Sequence, residues 1–222
     1  MNNRRSFITG IKSTKLSSLE KKFLKKYKPW GVILFSRNIN NIKQTLKLTT
    51  SIRKIFNDKK YPILIDQEGG RVNRLKNIIS FDNLTSEFFG EKFLRNRKEF
   101  IFFYKLFIDK TSYLLKSIGV NINTSPVLDL RIKGKSNIIG DRAFSKDPKI
   151  VSKIGDFCIQ YFHQNGIGTV IKHIPGHGLA KVDSHFFTPI ITKKKDYLLK
   201  RDFVPFKKKK SFFAMTAHII FK

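Results

Sequence analysis

The chain has 222 residues, of which 41% are hydrophobic, enough for one domain with a packed core rather than a disordered polar chain. Its formal net charge of +29 suggests a nucleic-acid partner, but the basic residues are spread along the chain without zinc-finger spacing or an RNA-binding aromatic motif. We therefore favour compositional drift over nucleic-acid binding as the origin of the charge.

The single cysteine, Cys158, excludes an internal disulfide framework and fits a reducing compartment. It lies among apolar residues at helical spacing, which favours a packed core thiol over a nucleophile. The sequence contains no signal peptide and no uninterrupted apolar stretch of the ~20 residues that a membrane span requires. We expect a cytoplasmic protein.

Strands and helices are predicted to alternate along the chain. Helical periodicity predicts helices over 17–27, 42–56, 97–117, 147–165 and 196–206. Apolar runs predict strands over 31–35, 61–65, 120–123, 168–173 and 212–216. Strands without polar alternation indicate a parallel sheet covered on both faces. Because polar clusters follow these strands, the pattern favours an α/β fold of the (β/α)8 TIM-barrel type over an open doubly wound sheet.

The polar segment after the second predicted strand is a candidate ligand site. Asp66 stands at the strand end, where its carboxylate can accept hydrogen bonds from two vicinal hydroxyls. Arg74 can donate a fork of hydrogen bonds to ring hydroxyls or a carbonyl. An acidic and basic turn that pairs with itself is the alternative interpretation.

A second polar cluster contains Arg142. Its guanidinium can either clamp a polar group of a substrate or pair with the neighbouring Asp141.

Three of the five histidines fall between Lys172 and His185, in a loop after a predicted buried strand. Lys172 and His173, at the strand end, are expected to face the barrel rim. The spacing of Asp183 and His185 allows the carboxylate to orient the imidazole and raise its pKa for proton transfer near neutral pH.

Two other interpretations of the histidine loop remain open. One is a metal site built from His173, His177, Asp183 and His185, although their spacing matches no zinc pattern. The other is a histidine-rich surface loop without chemistry.

Several motifs in the same order make the chain resemble the family 3 glycoside hydrolases, and within them the bacterial cytoplasmic beta-N-acetylhexosaminidases of cell-wall recycling. The motifs are Gly31-Val-Ile-Leu-Phe-Ser-Arg-Asn38, Asp66-Gln-Glu-Gly-Gly-Arg-Val72, Ser125-Pro-Val-Leu-Asp129, Gly140-Asp-Arg-Ala-Phe144, Lys172-His-Ile-Pro-Gly-His-Gly178, Asp183-Ser-His185 and Ala214-Met-Thr-Ala-His218. The Asp-Ser-His loop is the mark of the hexosaminidase branch.

The resemblance implies a role for each candidate residue. The residues that would hold the non-reducing N-acetylglucosamine are Asp66, Arg74, Arg142, Lys172 and His173. His185, assisted by Asp183, would protonate the leaving oxygen and then activate water. The implied substrates are muropeptide fragments that carry N-acetylglucosamine on anhydro-N-acetylmuramic acid peptides. No cofactor and no metal are implied.

The family's retaining mechanism also needs a carboxylate nucleophile, which in the family follows the Met-x-x-His segment. In this sequence that segment is Met215 to His218, and no carboxylate follows it. The resemblance thus implies one truncated barrel domain over 1–222 that lacks its last strands and has an open sheet edge. A sugar-binding remnant without hydrolase activity is the alternative function.

Overall fold

The computed structural model describes residues 3–132, 138–180, 182 and 187–222. Its strands are β1 (Arg5–Gly10), β2 (Pro29–Leu34), β3 (Ile63–Ile65), β4 (Ile122–Asn123), β5 (Gly168–Ile174), β6 (Ile190–Ile191), β7 (Phe213–Thr216) and β8 (Ile220–Phe221). Its α-helices are α1 (Ser18–Tyr27), α2 (Ile42–Phe56), α3 (Ser86–Arg95), α4 (Arg97–Ser117), α5 (Pro148–Gln164) and α6 (Lys195–Lys200). Short 3-10 helices span Ser36–Asn38, Gly140–Arg142 and Val204–Phe206.

Six strands form one parallel sheet in the order β1-β2-β3-β4-β5-β7, and β6 pairs with β8 in a separate parallel pair. The larger sheet curls into a half-barrel, which confirms the predicted incomplete TIM-barrel fold. The main core contains buried side chains from β2 and β3 together with residues of α2, α4 and α5. Their burial supplies the main driving force for folding.

The two edges of the large sheet, β1 and β7, each pair on one side within the described chain. The cavity inside the curl has a volume of about 680 Å³ and an apolar wall that includes Ile8, Trp30, Leu64, Val170 and Met215. The predicted open parallel edge is therefore present among the described residues.

Local sequence explains where the helices begin. Ser17 and Glu20 form a capping box at the start of α1, so that two backbone N–H groups of the first turn are satisfied. Asn41 caps α2, and Asp147 caps α5, whose first residue is Pro148. These predicted helices agree with the structure to within one residue at either end.

Part of the prediction is wrong. The segment 196–206 is not one helix, because α6 ends at Lys200 and a 3-10 turn holds Pro205. Proline lacks an N–H donor and disfavours helical geometry in the residue before it. Four of the strands and α-helices were not predicted, namely β1, α3, β6 and β8. No residue of the edge strand β1 is buried, so the strand gives no apolar run, and the short helix α3 contains Gly90, a poor helix former.

Cys158 is 2% exposed in the core, as predicted, and burial raises the pKa of its thiol to about 12. It is therefore protonated and unreactive at neutral pH. None of the described helices has the length and apolar character needed to cross a membrane.

Candidate active site

The polar residues that follow β3 and β4 meet a lysine of β5 at the carboxyl edge of the sheet, which we call the rim. Asp66 follows the last residue of β3, and Thr124 follows the last residue of β4. Lys172 lies in β5, and its Nζ donates to Asp66 Oδ1 at 2.9 Å and to Thr124 Oγ1 at 3.1 Å. The parallel register of the three strands brings these residues together.

Lys172 is the centre of a buried charge cluster. Its side chain is 2% exposed, and its Nζ lies 2.6 Å from Glu68 Oε1 in addition to its contact with Asp66. One ammonium group therefore contacts two carboxylates in a site largely closed to water, and a second cation is needed to balance their charge. A buried lysine is stable only with such partners, because burial of an unpaired charge is costly.

Arg142 completes the cluster from the 3-10 helix Gly140–Arg142. Its Nε and one terminal nitrogen donate to the two oxygens of Glu68 at 2.8 and 2.9 Å, a bidentate pair. The predicted alternative, a pair between Arg142 and Asp141, is wrong. Asp141 instead accepts from Arg71 Nε at 2.9 Å, because the turn aims the Arg142 side chain inward.

The two carboxylates of the cluster remain ionised. Burial acts to raise the pKa of Glu68, but Lys172 and Arg142 outweigh it and hold the pKa at about 2. Burial likewise opposes ionisation of Asp66, yet Lys172 and Thr124 lower its pKa below the usual value. Both contacts to Asp66 use Oδ1, and its side chain is 17% exposed. An ionised acceptor is thus presented to the rim.

A second buried carboxylate orients the start of the histidine loop. Asp129 is fully buried, and its Oδ2 lies 2.6 Å from Nδ1 of His173, while its Oδ1 accepts the backbone N–H of His177 at 2.6 Å. Burial opposes ionisation of Asp129, but the two histidines lower its pKa. Because the carboxylate is an acceptor, Nδ1 of His173 carries the proton, and Nε2 is the nitrogen left for a ligand.

Arg74 is joined to the cluster indirectly. Its backbone N–H donates to Gln67 Oε1 at 2.9 Å, next to Asp66, and its guanidinium lies 5.9 Å from the ring centroid of Phe35. The Nε atom of Arg74 is buried without a hydrogen bond to any described residue. Arg74 is thus placed near the rim with a donor still to be satisfied.

The structure therefore brings Asp66, Arg142, Lys172 and His173 to the rim, with Arg74 beside them. Asp183 and His185, the predicted acid–base pair, lie outside the described residues.

The metal interpretation also includes these two residues. Within the described ranges, no group of three or more histidine, cysteine, aspartate or glutamate side chains is arranged to hold a metal ion.

Three residues of the site were missed from the sequence, namely Glu68, Thr124 and Asp129. All three follow buried strands of the parallel sheet, or the segment that leads from one, within a few residues. Lys172 and His173 were predicted as site residues because they lie at the end of a strand. The same criterion would have selected these three residues.

Comparison with known proteins identifies the class to which this fold and site belong. The model of the family described as "Glycosyl hydrolase family 3 N terminal domain" matches residues 8–222. The chain belongs to this family.

Beta-hexosaminidases are among its relatives. The Beta-hexosaminidase of Hydrogenovibrio crunogenus is 36% identical over 201 residues, which are 90% of this chain and 56% of that protein. The crystal structure of NagZ from Neisseria gonorrhoeae in complex with N-trifluoroacetyl-D-glucosamine has a TM-score of 0.87 at 27% identity, over 98% of this chain and 65% of that one. A family 3 beta-N-acetylglucosaminidase from Paenibacillus sp. str. FPU-7 has a TM-score of 0.85 at 26% identity, over 97% of this chain and 41% of that one. The chain thus spans about half the length of its curated relatives.

Proposed function

We propose that this chain builds the sugar-binding and acid–base part of a beta-N-acetylhexosaminidase site. The reaction is removal of terminal beta-linked N-acetylglucosamine from peptidoglycan fragments in cytoplasmic cell-wall recycling. The observation that carries the proposal is the ionised Asp66 carboxylate, held at the rim by the buried Lys172. Membership of glycoside hydrolase family 3, and a solved relative that binds a glucosamine derivative, support it.

The cluster suits a sugar ring because it combines one accessible acceptor with several donors. Asp66 accepts from two adjacent hydroxyls, and Arg74 donates from a guanidinium whose Nε is unsatisfied. His173 offers Nε2 to a hydroxyl. Such charge-assisted hydrogen bonds contribute roughly 1.5–3 kcal/mol each.

Glu68 has a different role in this proposal. Both of its oxygens are already occupied by Arg142, and one of them also contacts Lys172. It therefore acts as a positioning residue that fixes the two cations, while Asp66 contacts the sugar.

The cleavage step needs proton transfer and a nucleophile. We assign the proton transfers to His185, with Asp183 orienting the imidazole, as the resemblance implies. The retaining mechanism also needs a carboxylate that forms the glycosyl-enzyme, and none of the residues assigned here has that role.

The assignment of His185 is tested by turnover of 4-nitrophenyl N-acetyl-beta-D-glucosaminide. We expect His185→Ala to lower kcat by about 100-fold or more, the usual contribution of a general acid–base group. His163→Ala is the matched control, since His163 lies in α5 and hydrogen-bonds to Thr169, away from the rim. Equal and measurable turnover by both variants would refute the assignment.

The sugar-binding remnant remains the second candidate, because the assigned residues include no nucleophile. It predicts that the wild-type chain binds N-acetylglucosamine but releases no nitrophenol. Release of nitrophenol by the wild-type chain would exclude it.

A further inference from the structure

The outward face of α4 carries large apolar side chains that the rest of the described chain does not cover. Phe102, Leu106 and Tyr113 are 64%, 56% and 62% exposed. Their spacing of four and seven residues places them within about 40° of one another around the helix. They form a stripe along α4, which we call the α4 stripe.

The opposite face of the same helix is fully used by the core. Phe100, Tyr104, Ile108 and Leu115 on that side are buried. A helix that is apolar on both faces is normally covered on both. An exposed apolar stripe of this kind usually marks a binding surface, and we interpret the α4 stripe in this way.

The stripe is continuous with an apolar groove between α3 and α4. The groove has a volume of about 440 Å³, and its wall includes Leu84, Phe88, Phe103 and Leu106. Phe88 and Phe103 are both partly exposed there. The stripe and the groove together form one broad apolar face.

Lysines border this apolar face on both sides. At about 100° per residue, Lys98, Lys105 and Lys116 fall on one side of the stripe and Lys110 on the other. The two carboxylates of α4 are both ion-paired, Glu99 with Lys92 and Asp109 with Lys105. Lys98, Lys110 and Lys116 have no ion pair with another described residue, so the face is apolar at its centre and these three lysines supply the positive charge at its borders.

We propose that the α4 stripe and its groove dock on the surface of an anionic lipid bilayer. Aromatic and aliphatic side chains enter the boundary between headgroups and acyl chains, while flanking lysines reach the headgroup charges. The formal net charge of +29 adds long-range attraction to such a surface. The same charge opposes a second copy of this chain as the occupant, because like charges would face each other.

Sedimentation with lipid vesicles tests this proposal. We expect the wild-type chain to bind vesicles of phosphatidylcholine mixed with phosphatidylglycerol and to bind pure phosphatidylcholine much more weakly. The double variant Phe102→Ser/Leu106→Ser should bind the anionic vesicles at least about tenfold more weakly, because two inserted side chains are lost. Both positions are exposed, so the fold should be retained.

Leu19→Ser is the matched control, since Leu19 is 79% exposed on α1 and lies outside the α4 stripe. It should bind anionic vesicles like the wild type. Equal binding by the double variant and the wild type would mean adsorption by net charge alone and would overturn the proposal. So would absence of vesicle binding, or a wild-type dimer in sedimentation velocity that only the double variant dissociates.

Discussion

Replacement of Lys172 by Met is expected to lower the free energy of unfolding by about 3–5 kcal/mol at neutral pH. The methionine would leave Glu68 and Asp66 ionised in a buried site without their shared ammonium group. Only Arg142 would still compensate Glu68. Urea denaturation of the two proteins, with the slope compared as well as the midpoint, measures the difference.

Lys105→Met is the control, because Lys105 pairs with Asp109 on the exposed face of α4. An exposed pair of this kind is worth less than about 1 kcal/mol, so the same substitution should have little effect there. Losses of similar size at both positions would contradict the account of the buried cluster.

The pH dependence gives a second readout of the same cluster. In the wild-type protein the pKa of Glu68 is lowered from 4.5 to about 2, so its stabilising contribution is present above about pH 4.5 and lost as the pH falls towards 2. In Lys172→Met the part of this contribution that comes from Lys172 is already absent. We therefore expect the stability difference between the two proteins to narrow over that range, and a constant difference would argue against the assignment.

Gly90→Ala is expected to destabilise the protein by about 3 kcal/mol, although alanine is the better helix former by about 1 kcal/mol. A Cβ atom at this position in α3 would lie 1.6 Å from the carbonyl oxygen of Phe144. The backbone segment after Arg142 would have to move, and the Arg142–Glu68 pair would move with it. The midpoint temperature of thermal unfolding and the affinity for the sugar should therefore both decrease.

The neighbouring substitution Glu91→Ala provides the comparison. Glu91 is exposed and contacts Arg95 at 3.7 Å, so its loss should change stability by no more than about 0.5 kcal/mol. If Gly90→Ala proved as stable as Glu91→Ala, the close contact between α3 and the Phe144 segment would not exist.

The elements that the sequence predicted best are those with strong local signals. α2 and α4 agree with the predicted 42–56 and 97–117 because capping residues and apolar periodicity both mark them. β1 was not predicted because it is an edge strand with little buried surface. Such a strand lacks the continuous apolar run by which the other strands of the large sheet were predicted.

The site residues could be predicted where the position of a residue at a strand end determines that its side chain faces the rim. Lys172 follows from its place near the end of a buried strand, and its side chain is at the rim as expected. The partner of Arg142 was not predictable, because Glu68 is 74 residues away in sequence and reaches it through the turn after β3. In that turn Gly69 and Gly70 adopt positive φ values of 98° and 55°, which sequence spacing does not reveal.

The central claim is that the rim binds N-acetylglucosamine through Asp66. Isothermal titration calorimetry of this sugar with the wild-type chain, Asp66→Asn and the exposed control Asp82→Asn tests it most directly. We expect saturable binding by the wild type and by Asp82→Asn, and affinity at least about tenfold lower for Asp66→Asn. Absence of binding by the wild type, or equal affinity of all three proteins, would contradict the account.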